Sequence, residues 1–126
     1  MAKWKIDYYE SPSGRKPVQE FIENLAEKSR SRVYYSFELL AEFGINLQAP
    51  HVKKLTNTPL WELWILGETA VRFFYLAKAE QSFLLLHGFA KHQQKTPQKE
   101  IKTALKRLEE FKSRSWQYHK IVIFYF

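Results

Sequence analysis

Two imidazoles and two ammonium groups fall within nine residues of the segment His87-Gly88-Phe89-Ala90-Lys91-His92-Gln93-Gln94-Lys95-Thr96-Pro97. That set suits a phosphodiester. A lysine or arginine neutralises the non-bridging oxygens as charge grows in the transition state, while histidine, lysine or tyrosine moves protons. Gly88 allows an unusual backbone or a close approach. The sequence shows no carboxylate cluster suited to Mg²⁺, and four histidines without a cysteine make a poor structural zinc site. No metal and no cofactor is therefore expected. The simplest route is attack by an RNA's own 2′-OH on the adjacent phosphate, with the protein positioning and stabilising.

Other residues extend this set. Arg72 interrupts the run Ala70-Val71-Arg72-Phe73-Phe74-Tyr75, and a charge inside a central strand must reach solvent, a partner or a ligand. An ion pair with Glu62 on the neighbouring strand is the structural alternative. Lys91 and His92 leave the sheet on a polar loop and are candidates to touch the reacting phosphate. Lys95 reads equally as a backbone-phosphate contact. His87, at a strand end, is either catalytic or a hydrogen-bonded structural residue. Lys53 and Lys54, with His51, precede the first central strand and could flank the same face. Tyr75 could stack on a base or act as an acid, although a strand tyrosine is usually core. Trp61 and Trp64 have opposite parity, so at most one of them lies on a given face.

The elements that must position these residues are legible in outline. Trp4, Ile6 and Tyr8 alternate with charged residues, as in a strand with one buried face. Pro17 opens a helix carrying Val18, Phe21, Ile22 and Leu25, and a second helix with Val33, Phe37, Leu40 and Ala41 stops at Gly44. The break between them is expected near Ser29 to Ser31. Three runs, 61–66, 71–76 and 82–87, are joined by connections short enough to require antiparallel hairpins. Thr96-Pro97 then begins an amphipathic helix with Ile101, Ala104, Leu105, Leu108 and Phe111 inward and Lys99, Lys102, Lys106 and Arg107 outward. The order β, α, α, β, β, β, α makes one α+β domain over residues 1–112. Residues 113–126 form a strand-like aromatic extension, expected to pair with the sheet edge or with another copy in a homodimer.

Composition narrows the function classes. The 126 residues carry a net charge of +7, and residues 86–126 alone hold nine basic against three acidic side chains. The first fifty residues are neutral, seven against seven. A local basic excess attracts a polyanion. Absence of cysteine fits a reducing compartment, and no apolar run approaches the roughly 18 residues of a membrane span. The expected location is cytoplasmic.

The ordered fragments Val52-Lys53-Lys54-Leu55, Leu60-Trp61-Glu62-Leu63, Val71-Arg72-Phe73-Phe74-Tyr75, Leu85-Leu86-His87-Gly88-Phe89-Ala90-Lys91, Lys95-Thr96-Pro97 and Glu100-Ile101-Lys102-Thr103-Ala104 resemble the RelE/ParE toxin superfamily, most of all its phage-derived HigB-like branch. The resemblance runs from about Lys5 to Leu108. It implies a helical hairpin on a short antiparallel sheet and a toxin silenced by an adjacent antitoxin, here a HigA-like helix-turn-helix protein. It also implies metal-independent mRNA cleavage on the ribosome. Lys54, Arg72, Lys91 and Lys95 match the branch's basic positions. His92 stands where a second lysine is common. Trp64 stands where the Glu-Leu-Arg pattern has arginine, and its lack of charge is expected to attenuate the activity. Together with the residue-level reading, this gives Arg72, Lys91, His92 and Lys54 as catalytic candidates. Lys53, Lys95, Lys99, Lys102, His87 and Tyr75 are RNA-binding candidates. A ParE-like inhibitor of DNA gyrase and a non-enzymatic RNA-binding module are the alternatives.

Overall fold

The computed structural model describes residues 3–48, 51–65, 67, 70–92 and 95–115. Strand β1 (Lys5–Tyr8) is followed by helices α1 (Pro17–Glu23) and α2 (Glu27–Phe43) and a 3-10 turn at Gly44–Asn46. Four strands come next, β2 (Val52–Lys54), β3 (Trp61–Trp64), β4 (Val71–Lys78) and β5 (Ser82–Ala90), and then helix α3 (Gln98–Ser115). The sheet order is β1-β5-β4-β3-β2. Strands β2 to β5 pair antiparallel as a meander, whereas β1 runs parallel to β5, with Lys5 opposite Ser82. This is the expected α+β architecture, with a mixed sheet in place of a purely antiparallel one.

Alternation along the strands divides the core into two layers. Leu63, Phe73, Tyr75, Phe83 and Leu85 face the hairpin and bury Val18, Ile22, Val33, Phe37 and Leu40. Phe74, Leu76, Leu84, Leu86 and Phe89 face α3 and bury Ala104 and Leu108, with Ile101, Leu105 and Phe111 alongside. Each large side chain removed from water in this way contributes about 1.5–3 kcal/mol. Pro17 at the start of α1 and Gly44 at the end of α2 act as their types predict. Gly44 adopts φ 57° with the Trp4 indole packed against its α-carbon, so a side chain there would be both strained and blocked.

Five local expectations are corrected. The hairpin turns at Asn24 to Ala26, not at Ser29 to Ser31. Leu25 packs into the first core layer, and Arg30 Nη1 donates to its carbonyl at 2.7 Å, which lets α2 start at Glu27. Val52–Lys54 forms an edge strand, too short to show a period in sequence. Strand β5 continues through Gly88 and Phe89 to Ala90, so His87 lies within a strand and the loop starts at Lys91. Thr96 does not cap α3: its hydroxyl reaches Glu62, and the Pro97 carbonyl receives the first N–H groups of the helix. The helix runs past residue 112 to Ser115. The C-terminal strand expected over 116–126 lies outside the described residues. Among the described residues no helix is long and apolar enough to cross a membrane.

Candidate functional site

Side chains paired across antiparallel strands share a face, so strand register assembles the site. On the α3 side one row crosses the sheet as Lys53, Glu62, Phe74 and His87, and the next as Trp64, Arg72 and Phe89. The pairing slips between Phe74 and Tyr75, which brings His87 opposite Phe74 on the α3 side while Leu85 pairs with Tyr75 on the other.

Arg72 is the centre of the second row. Its guanidinium lies 5.0 Å from the centroid of the Trp64 ring, and Nη1 donates to the Val71 carbonyl at 3.1 Å. Its Nε–H is buried and has no hydrogen-bond partner among the described residues. Burial pushes the guanidinium pKa down, and the charge of Glu62 acts in the opposite direction. The side chain remains a cation, since arginine titrates far above neutrality. The ion pair with Glu62, the structural alternative for Arg72, takes a different form. Trp64, not Glu62, sits opposite Arg72, and Glu62 acts from the diagonal position.

Glu62 is 1% exposed. Its Oε1 accepts from the Trp64 indole N–H at 3.1 Å and its Oε2 accepts from the Thr96 hydroxyl at 3.4 Å. One buried carboxylate thus fixes the ring beneath Arg72 and ties down the far end of the loop that carries Lys91, His92 and Lys95.

His87 belongs to a separate clamp. Arg107 Nη1 donates to His87 Nδ1 at 3.1 Å and to the Leu86 carbonyl at 2.8 Å, while His87 Nε2 lies 2.7 Å from Glu100 Oε1. Arginine can only donate, so Nδ1 is the acceptor and the imidazole proton sits on Nε2, directed at Glu100. Desolvation pushes the His87 pKa down, outweighing the Glu100 hydrogen bond that raises it, and the Arg107 charge lowers it further. A neutral His87 therefore fastens α3 to β5.

The remaining candidates divide between the two faces. Lys91 is half-buried where β5 ends, its backbone N–H donating to the Ala70 carbonyl at 2.5 Å beside the start of β4. His92 and Lys95 are exposed on the loop, Lys99 and Lys102 on α3, and Lys53 next to Glu62. Lys54 is in the row of Trp61 and Tyr75, facing the hairpin. Its ammonium donates to the carbonyls of Thr58 and Leu55, holding the β2–β3 turn, and burial lowers its pKa. Tyr75 is 4% exposed in the hairpin-side core, and burial pushes its hydroxyl pKa up. Lys54 and Tyr75 are thus apart from the Arg72 face.

Thr96, Glu100 and Arg107 shape the site without having been singled out for it by their sequence context, and Glu62, read there only as an ion-pair partner for Arg72, holds Trp64 and Thr96. Glu62 had a readable signal, being a charge between apolar neighbours in a strand, the same feature that marks Arg72. Among the described residues no group of three or more His, Asp or Glu is placed to hold a metal ion. A family model described as "Phage derived protein Gp49-like (DUF891)" matches residues 20–109, from α1 into α3, and so spans all of these site residues. No curated protein matches the chain.

Proposed function

The chain belongs to the phage-derived Gp49-like family, a toxin-like family related to RelE and ParE, and on that premise we propose that it is the toxin of a type II toxin–antitoxin pair. In this reading it is a HigB-like ribosome-dependent mRNA endoribonuclease. The observation that supports it best is Arg72, a desolvated cation with a buried Nε–H lacking a partner among the described residues, bordered by a loop of lysines and a histidine. Buried donors cost free energy unless an acceptor arrives, and a phosphate oxygen is an apt one.

In the proposed reaction the 2′-oxygen attacks the adjacent phosphorus and loses its proton. The bond to the 5′-oxygen breaks, and that oxygen leaves with a proton, giving a 2′,3′-cyclic phosphate. Arg72 and Lys91 stabilise the extra charge on phosphorus. His92 and Lys95 position the strand or assist proton transfer, and Lys53, Lys99 and Lys102 hold flanking phosphates. Lys54 serves by fixing the turn behind Trp61. The cognate antitoxin is a HigA-like protein. Trp64 attenuates the reaction, because a ring occupies the place of a cation worth on the order of 10² to 10³ in rate.

A reconstituted translation reaction tests this. Weak mRNA cleavage by the native chain, stronger cleavage by Trp64→Arg and loss by about 10² or more in Arg72→Ala are expected. Intact mRNA with both the native chain and Trp64→Arg would refute the nuclease reading. Inhibition of DNA supercoiling in its place would establish the gyrase alternative.

A further inference from the structure

A second basic recess lies along α3 from the Arg72 face. It is a cleft of about 510 Å³ between the turn that follows β1 and the second half of α3, lined among others by Ser11, Ser13, Arg15, Lys106, Arg107 and Glu110. Three nearby carboxylates are already engaged, Glu10 with the Lys16 ammonium at 4.0 Å among them. Glu20 pairs with Arg15 at 2.5 and 3.1 Å, and Glu110 accepts from the Tyr9 hydroxyl at 2.6 Å and pairs with Arg114. Arg107 has no such neutralisation. It is half-buried, its described acceptors are the neutral Leu86 carbonyl and His87 Nδ1, and its guanidinium lies 6.0 Å from the centroid of the Tyr9 ring. Burial lowers its pKa without a carboxylate opposing it. Lys106 adds an exposed ammonium at the rim. Ser11 and Ser13, 2.9 Å apart, add hydroxyls on a turn closed by Gly14 N–H to Ser11 O and Ser11 N–H to Arg15 O.

An uncompensated, partly desolvated guanidinium beside hydroxyls and an exposed ammonium is a phosphate-binding arrangement. The exposed lysines Lys99, Lys102 and Lys106 follow helical spacing from the loop to the cleft. About 12 Å of helix separates Gln98 from Lys106. We propose that this cleft binds a backbone phosphate of an RNA strand several nucleotides away from the one at Arg72, so that the molecule grips a strand at two separated points. The proposal rests on the RNA reading above and adds to it a site for which catalysis has no need.

The test compares a trinucleotide and a dodecanucleotide of 2′-O-methyl RNA, which cannot undergo the 2′-OH reaction, binding to the native chain and to Lys106→Gln, Arg15→Gln and Lys28→Gln. Lys28 carries the same charge on exposed α2, away from the cleft. We expect the native chain to bind the longer strand more tightly. Lys106→Gln and Arg15→Gln should each weaken that binding by about three- to tenfold and lower its salt slope by about one, leaving trinucleotide binding and Lys28→Gln unaffected. Equal weakening by Lys28→Gln would reduce the effect to net charge and overturn the proposal, as would native affinity independent of length. Displacement of the dodecanucleotide by AMP from the native chain, at a concentration that fails with Lys106→Gln and Arg15→Gln, would assign the cleft to small phosphate esters and also overturn it. If the native chain bound neither RNA, the RNA reading itself would fall with the proposal. Length-dependent binding insensitive to both cleft substitutions would sink the cleft alone.

Discussion

Arg72 and Arg107 present the same physical problem in two places: a guanidinium drawn out of water toward neutral acceptors and aromatic rings. His87 shows how finely such surroundings set a residue's role. Its pKa is depressed in the folded chain and about 6.5 when unfolded, so the unfolded chain takes up the proton first as pH falls. The contribution of His87 to stability is therefore complete above pH 6.5 and is lost as pH falls through the lower folded value. Between pH 7.5 and 5.5 the melting temperature of the native chain should drop more steeply than that of His87→Gln, even though the variant is less stable at neutral pH for want of the Glu100 and Arg107 contacts. Parallel melting profiles would contradict the buried neutral assignment. The residue types around Arg72 were readable as phosphate chemistry. The tautomer of His87 was not, because Glu100 and Arg107 lie on another element and reach it only through packing.

Gly88 links two elements directly. A Cβ on it would stand 2.7 Å from both Phe21 of α1 and Phe73 of β4, closer than real carbons approach. Gly88→Ala should therefore push α1 off β5 and cost about 1–3 kcal/mol, read as a lower urea midpoint with an unchanged m-value. A midpoint within error of the native one would show that Phe21 swings aside freely. Most elements were legible because their periods are long: the α3 stripe from Ile101 to Phe111 repeats over about three turns, and Pro17 and Gly44 punctuate the hairpin. What escaped was short or relational. The strand β2 has three residues, and the slip in pairing at Phe74 and Tyr75 moves His87 by one face relative to simple alternation. The Trp64 and Arg72 pairing follows from register, which spacing within either strand does not encode. The likeness of Lys54 to a catalytic lysine failed to reveal its face for the same reason, since one residue of offset decides it.

At the scale of the molecule, the sheet is covered by a hairpin with three basic and five acidic side chains over residues 17–43 on one side and a basic helix on the other, so the net charge of +7 is presented asymmetrically. Both apolar layers close among residues 4–111. A chain ending at Ser115 should thus keep its circular dichroism spectrum and melt cooperatively within a few degrees of the full chain. A loss of cooperativity would mean that residues 116–126 complete a core layer. The parallel pairing of β1 with β5 also governs when this molecule comes into being. Lys5 is among the first residues synthesised, yet its partner Ser82 and the β5 positions that flank Arg72 arrive late. Contacts of such long sequence separation slow folding, since loop closure must precede any gain from pairing. A nascent chain carries its basic residues long before it has an Arg72 site. Whatever that site does, it starts only once most of the chain has been made, and the delay is written into the order of the strands.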